Sequence, residues 1–304
     1  MRVLIFGASG QDARILKEFY ETQCAEVFLV SRNLSSGIIQ TDYTVPSLRA
    51  ILNAIIPDLI YFTAAQSSVS KSYRDQGETI RANSTIVTNF LEAFCSSGLK
   101  SKIAWFNSSE IYGPSSESKP HDEQSEHRPQ SPYALSKSIS SRIFSYYTSS
   151  YNIEFVEAIL FNHESKFRSG DYFVMKAVRE LHKVYIGEIQ SVNFGNLFVS
   201  RDFGGAINYM EILAELMSSD FSGKINICSG KSIMLREIVE FICEYFNLDS
   251  RKVISIDENL FRSNEPKLIV GNNSKLQDNL VHNIVVTDFF VVLKEILDDY
   301  VSAR

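Results

Sequence analysis

Apolar residues fall into two rhythms that alternate through the first half of the chain. Short, nearly unbroken apolar runs recur at RVLIF (2–6), AEVFLV (25–30), DLIYFT (58–63), KIAWF (102–106) and EFVEAILFN (154–162). Between them lie longer stretches with apolar residues three and four apart: QDARILKEFYE, SLRAILNAI, GETIRANSTIVTNFLEAFCSSG and, after SPYALSK, ISSRIFSYYTSSY. An apolar run without polar alternation is what a strand covered on both faces requires, and the spaced stretches have helical periodicity. Strand and helix in alternation predict an α/β fold, a Rossmann-type doubly wound parallel sheet. GIIQTDY (37–43) reads as a third strand that follows the second too closely for the usual crossover helix.

After residue 162 the alternation becomes irregular. DYFVMKAVRELHKV and GGAINYMEILAELM read as helices, SVNFGNL as a short extended piece and INICS as a strand returning to the sheet. SIMLREIVEFICEYFN and DFFVVLKEILDDYVSA read as amphipathic helices, and SSESKPHDEQSEHRPQSP as a polar surface loop. The expected division is therefore a dinucleotide-binding domain over 1–162, with returning segments around 200–230, and a smaller interwoven domain over 163–304.

Each apolar run stops at small or polar residues, and the carboxyl ends of parallel strands are where open α/β sheets bind ligands. The first run enters Gly7, Ala8, Ser9 and Gly10, followed by Gln11 and Asp12 at a helix start. A GxxG turn alone also serves merely to pack a helix on a strand. Directly behind the first strand, it points to a dinucleotide, since glycines admit the pyrophosphate and the helix N-terminus supplies N–H donors. No acid lies between Val27 and Gln40 to accept from a ribose 2′-hydroxyl, whereas Arg32 suits a 2′-phosphate, so the expected cofactor is NADP, with NAD as the alternative. Asp42 fits either an adenine amino group or the cap of the next helix, and Ala64 and Ala65 leave room for a cofactor. The central run ends in Asn107, Ser108, Ser109 and Glu110; SPYALSK then puts Tyr133 and Lys137 four residues apart on one helix face. A hydroxyl, a carboxyl, a phenol and an ammonium at one sheet edge form an acid–base inventory.

Composition narrows the alternatives. The 304 residues carry a net charge of −6 and no basic run interleaved with aromatics, which argues against a nucleic-acid surface. No apolar stretch is long enough to span a bilayer; Asp288 interrupts the run from Ile284 to Leu293. The first run is too short for a signal peptide, so a cytoplasmic location is expected. Cys24, Cys95, Cys228 and Cys243 lack CxxC spacing and read as buried thiols, and the five histidines form no ligand pair, so no metal is expected.

Together, GASGQDA, PDLIYFTAAQS, SSEIYG, SPYALSK, LFNHES, GNLFVSRDFG and FRSNEP, from residue 3 to about residue 275, resemble the extended short-chain dehydrogenase/reductase family and, more narrowly, its GDP-mannose 4,6-dehydratases. The resemblance implies oxidation of a GDP-hexose at C4 by NADP+, loss of water across C5 and C6, and return of the hydride to C6, in the service of surface polysaccharide synthesis. It implies Tyr133 as the group that takes the C4 hydroxyl proton, Lys137 as the cation that lowers the phenol pKa and holds the nicotinamide ribose, Ser108 as a hydrogen-bond partner of the C4 oxygen, and Glu110 as the base at C5 and acid at the C6 hydroxyl. It further implies Leu160 and His163 against the cofactor, and Ser67, Ser109, Asn162, Lys176, Arg201, Arg262 and Glu265 against the sugar nucleotide.

The chain also departs from that family. The long cofactor-binding insertion after the second strand is missing, which favours a homodimer over a tetramer. Ser108 stands for a threonine and Asn107 for a serine, KFRSG follows LFNHES in place of a proline–arginine pair, Ser263 replaces a proline and Phe203 a tryptophan. The shorter chain leaves open a 4-keto reductase or epimerase of a GDP-sugar, and in a different class a non-catalytic NADP sensor. Glu110 argues against both, since neither needs a base at C5.

Overall fold

A computed structural model describes residues 1–33, 35–262, 264–280 and 286–303; the Ser263 departure and Ile284 lie outside the described residues. Its strands are β1 (Arg2–Phe6), β2 (Glu26–Ser31), β3 (Ile38–Gln40), β4 (Leu59–Phe62), β5 (Lys102–Ser108), β6 (Phe155–Leu160), β7 (Asn162–Glu164), β8 (Val192–Phe194), β9 (Ser200–Gly205), β10 (Gly223–Ile227), β11 (Ser232–Met234), β12 (Ile254–Ile256) and β13 (Leu268–Ile269). The main helices are α1 (Gln11–Thr22), α2 (Val45–Ile55), α3 (Val69–Arg74), α4 (Gln76–Ser97), α5 (Pro132–Tyr151), α6 (Phe173–Tyr185), α7 (Ala206–Ser218) and α8 (Leu235–Tyr245), with a last long helix at Phe289–Ser302.

Seven strands form one parallel sheet in the order β10-β6-β5-β4-β1-β2-β3. The expected doubly wound fold is present, and INICS does return as its outermost strand. Strand alternation sends Val3, Ile5, Ala104 and Phe106 to one face, where α1 and α7 cover them, and Leu4, Phe6, Ile103 and Trp105 to the other, under α2, α4 and Phe144 of α5. The connection from β2 to β3 holds no helix among the described residues, as their closeness in sequence demanded.

The strand order reverses between β1 and β4, so the carboxyl ends of these two strands open into a crevice. Across it stand β7, β9, β11 and β13, which form a second, four-stranded sheet, and α6, α8 and the last helix, which pack with β8 into a separate apolar cluster. Asp202, in β9, is fully buried and ties this layer to the large sheet: it accepts from Ser229 N and Oγ at 2.8 and 2.6 Å, Gly230 N at 2.9 Å and Gly271 N at 3.2 Å.

Two expectations change. Cys24 is exposed, in a left-handed turn (φ 58°) between α1 and β2, because only three residues make that connection; Cys228 and Cys243 are buried as expected, and Cys95 is half-buried. SIMLREIVEFICEYFN does not begin as helix, since Ser232–Met234 pair antiparallel with β9. Among the described residues, no helix is long and apolar enough to cross a membrane.

Candidate active site

The glycine turn is built tightly. Gly7 N donates to Val30 O at 2.9 Å, Gly10 N to Gly7 O at 3.0 Å, and Gly7 has φ +92°, which L-residues rarely adopt. A Cβ there would lie 2.4 Å from Thr63 Oγ1 and 3.0 Å from Ala64 N, so β1 and β4 come together only over a glycine. The turn opens onto a cleft of about 1060 Å³ lined by Gly7, Ser9, Gly10, Gln11, Asp12, Arg32, Ala64, Ala65 and Ser67. Arg14, Lys71, Arg74 and Arg179 add positive charge to its walls. A smooth glycine cradle at a helix N-terminus under a basic rim fits a dinucleotide pyrophosphate.

Asp42 is not brought into this cleft. Its carboxylate accepts from Thr44 N and Oγ1 at 2.9 and 2.8 Å, and Thr44, not Asp42, caps α2. Tyr43 lines the cleft in its place, and burial pushes its phenol pKa up to about 12. Lys176, expected against the sugar nucleotide, also lines this cleft rather than the pocket beyond it.

That pocket is continuous with the cleft and is lined by Ser67, Ser108, Ser109, Glu110, Tyr133, Lys137, Leu160, Asn162, His163, Arg201, Arg262 and Glu265. β5 delivers Ser108 and the single turn after it delivers Glu110; Ser131 caps α5 by accepting from Ala134 N, which sets where Tyr133 and Lys137 project. Ser108 Oγ accepts from Glu110 N at 3.3 Å and lies beside the Tyr133 phenol. Tyr133 and Lys137 are both buried. Burial raises the phenol pKa, and Ser108 opposes it; burial lowers the Lys137 ammonium to about 8. Lys137 Nζ donates to the Phe106 carbonyl and lies 4.9 Å from the centre of the Trp105 ring. Desolvation dominates at the phenol, and the Lys137 ammonium is directed at the Phe106 carbonyl.

Glu110 Oε1 lies 4.0 Å from Arg201 Nε, and Arg201 Nη2 is 4.0 Å from Glu265 Oε1, which Arg262 approaches at 3.6 Å. Arg201 is buried and anchored by donating to the Ser200 and Pro266 carbonyls at 2.8 and 2.9 Å. Arg201 thus lies between two carboxylates, and Arg262 pairs with Glu265; both arginines line the pocket. His163 Nε2 meets Asp12 Oδ1 at 3.2 Å, while Gln11 bridges to the His163 carbonyl and Ser165, so the LFNHES turn is held on the start of α1.

Sequence reasoning assigned no role to Arg168 or Tyr172. Arg168 Nε donates to Glu164 at 3.2 Å and its guanidinium lies 4.3 Å from the centre of the Tyr172 ring. The Tyr172 hydroxyl reaches across to Ser67 Oγ at 2.6 Å, and Arg262 to Ser70 Oγ at 3.0 Å, so two side-chain bridges span the crevice. The only available signal was an arginine in the loop after LFNHES.

A family model for GDP-mannose 4,6 dehydratases matches residues 4–287. GDP-mannose 4,6 dehydratase 1 of Arabidopsis thaliana is 28% identical over 303 residues, covering 91% of this chain and 83% of that protein. The GDP-mannose 4,6 dehydratase of Homo sapiens is 30% identical over 261 residues, covering 78% and 70%. Among solved structures, RMD from Pseudomonas aeruginosa complexed with NADPH superposes with a TM-score of 0.87 at 22% identity, covering 100% of this chain and 99% of that one.

Proposed function

The chain belongs to the GDP-mannose 4,6-dehydratase family, and from that premise we propose that it is an NADP-dependent lyase converting a GDP-hexose to the GDP-4-keto-6-deoxyhexose. The observation that carries this reading is the convergence of Ser108, Glu110, Tyr133 and Lys137 in one pocket, continuous with a glycine-floored basic cleft and flanked by Arg201 and Arg262. The relatives named GDP-mannose 4,6 dehydratase support the substrate, and the neighbour bound to NADPH supports the cofactor. Residues 1–162, with α7 and β10, would hold the cofactor, and most of 163–304 the sugar nucleotide. The working protein is proposed to be a cytoplasmic homodimer.

The cleft suits the cofactor: a side chain at residue 7 would meet Thr63 and Ala64, and Arg32 lines the wall, which supports its reading as the 2′-phosphate partner. Bound there, the nicotinamide supplies a hydride acceptor that becomes the donor within the same turnover. Tyr133 takes the proton of the C4 hydroxyl at its phenol oxygen, and Ser108 holds the C4 oxygen by a hydrogen bond. The pocket itself disfavours ionisation of the buried phenol, so proton uptake by Tyr133 would draw on a neighbouring positive charge, which Lys137 and a bound oxidised cofactor would supply. With a ketone at C4, the C5 proton is acidic; Glu110 removes it and passes it to the departing C6 hydroxyl, so that one water is lost. Arg201 and Arg262 offer planar donors to the diphosphate.

The test is incubation with NADP+ and GDP-mannose, following the sugar nucleotide by mass spectrometry. Loss of one water without net cofactor reduction is expected. No loss, together with NADPH-dependent reduction of a supplied 4-keto sugar nucleotide, would make the protein a reductase. Glu110→Gln should retain cofactor and nucleotide-sugar binding while water loss drops by about 10²-fold or more; undiminished dehydration would remove Glu110 from the reaction.

A further inference from the structure

β6 reads FVEAIL, an acid inside an otherwise apolar strand that lies between β10 and β5 in the sheet, and Glu157 is fully buried. A charge in that position costs stability unless it is hydrogen-bonded and paired, so its surroundings bear on its role. Glu157 Oε1 accepts from Asn107 Nδ2 at 2.7 Å and from Ser141 Oγ at 2.5 Å. Its other oxygen faces Lys224 Nζ of β10 at 3.5 Å. Asn107 is thereby oriented with its carbonyl oxygen forward, where it accepts from Ser108 N at 2.8 Å. The chain of contacts runs from Glu157 through Asn107 to the backbone of Ser108, whose hydroxyl accepts from Glu110 N beside the Tyr133 phenol. Ser141 lies one helical turn beyond Lys137 on the same face of α5, so the same carboxylate also fixes the helix that carries Tyr133 and Lys137.

We propose that Glu157 is a positioning residue of this site, holding from behind the sheet the Ser108 turn through Asn107 and, through Ser141, the helix turn that carries Lys137. The inference rests on the reading of Ser108 and Lys137 as working groups, and it adds a second tier to them that touches neither cofactor nor sugar. Two donors converge on Oε1; burial raises the Glu157 pKa, and Lys224 together with the Ser141 and Asn107 hydrogen bonds opposes that rise. The charged or titratable groups around it are Lys224 from β10, Lys137 from α5 and Tyr112 from the turn after β5. Of these, Lys137 is the one whose ionisation matters at the pocket, and the Glu157 charge favours its protonated form against burial.

Glu157→Gln keeps an acceptor for Asn107 and Ser141 but removes the charge. Carbon-13 NMR titration of the lysine ε-carbons in the cofactor-free protein, with Lys137 assigned by its loss in Lys137→Met, should find the Lys137 midpoint lowered by about one unit in Glu157→Gln. The alkaline limb of kcat should move down with it, while KM for the nucleotide sugar changes less than about twofold. An unchanged Lys137 midpoint, with only a lower melting temperature, would reduce Glu157 to a packing role and overturn the proposal. Should Glu157→Gln not fold, Asn107→Ala carries the test: a fall in kcat of about tenfold or more is expected, and an unaltered kcat would overturn it. If the unmodified protein dehydrates no GDP-sugar, the proposed reaction fails, whereas the Lys137 titration still decides what Glu157 does.

Discussion

Lys137 carries its ammonium where burial works against it, and the consequence can be read in stability as well as in chemistry. Its folded pKa, about 8, lies below the ordinary lysine value of 10.5. Below pH 8 the group is charged in folded and unfolded chains alike, and folding bears the full desolvation cost. As pH rises from 8 to about 10.5 the folded chain gives up its proton first, and the cost fades. Lys137→Met should therefore make the cofactor-free protein more stable by about 2 kcal/mol at pH 7, with the difference vanishing above about pH 10.5 in urea melts taken across that range. A variant less stable at pH 7, or a difference independent of pH, would show that the hydrogen bond to Phe106 outweighs desolvation. Ser108, Glu110, Tyr133 and Lys137 were legible in the sequence because each is fixed locally, by the end of a strand or by spacing along one helix. Glu157 and Tyr172 were not, because Asn107, Lys224 and Ser67 lie 50 or more residues from them and are chosen by strand register and side-chain reach; Arg168 pairs locally with Glu164 and Tyr172, but in a loop with no periodicity to announce it.

The turn between β1 and α1 shows how an element can depend on one missing side chain. Gly7→Ala places a methyl against Thr63 and the Ala64 backbone in a conformation that alanine avoids, so it should destabilise the protein by about 2 kcal/mol or more and weaken NADP+ binding. Calorimetry on the folded variant checks both, and a variant that melts and binds like its parent would mean that β4 can recede. Other elements were legible to differing degrees. The buried parallel strands announced themselves by unbroken apolar runs, and the amphipathic helices by their period. β9 did not, because SRDFGG begins with polar residues and ends in two glycines, and it exists through its pairings with β7, β11 and β13. Asp42 was misplaced for a related reason: an acid after a strand fits an Asx turn as well as a ligand, and Thr44 takes it.

At the scale of the whole molecule, chain order and spatial order disagree. The large sheet takes six strands from the first 160 residues and its last from Gly223–Ile227, after β7, α6, β8, β9 and α7 have been laid across the crevice. α7 belongs to the same interior as α1 and β1, so the core on one face of the sheet is also closed late. During synthesis, the edge of β6 therefore waits, unpaired, until Gly223–Ile227 has left the ribosome, and the buried carboxylate of Glu157 waits with it for Lys224. A chain released after Asp220 should aggregate, or be digested by protease, under conditions in which the full chain resists; a compact, resistant fragment would show that β6 tolerates an open edge. A nascent protein of this design needs a chaperone, or rapid elongation through residues 160–227, more than its compact final form suggests.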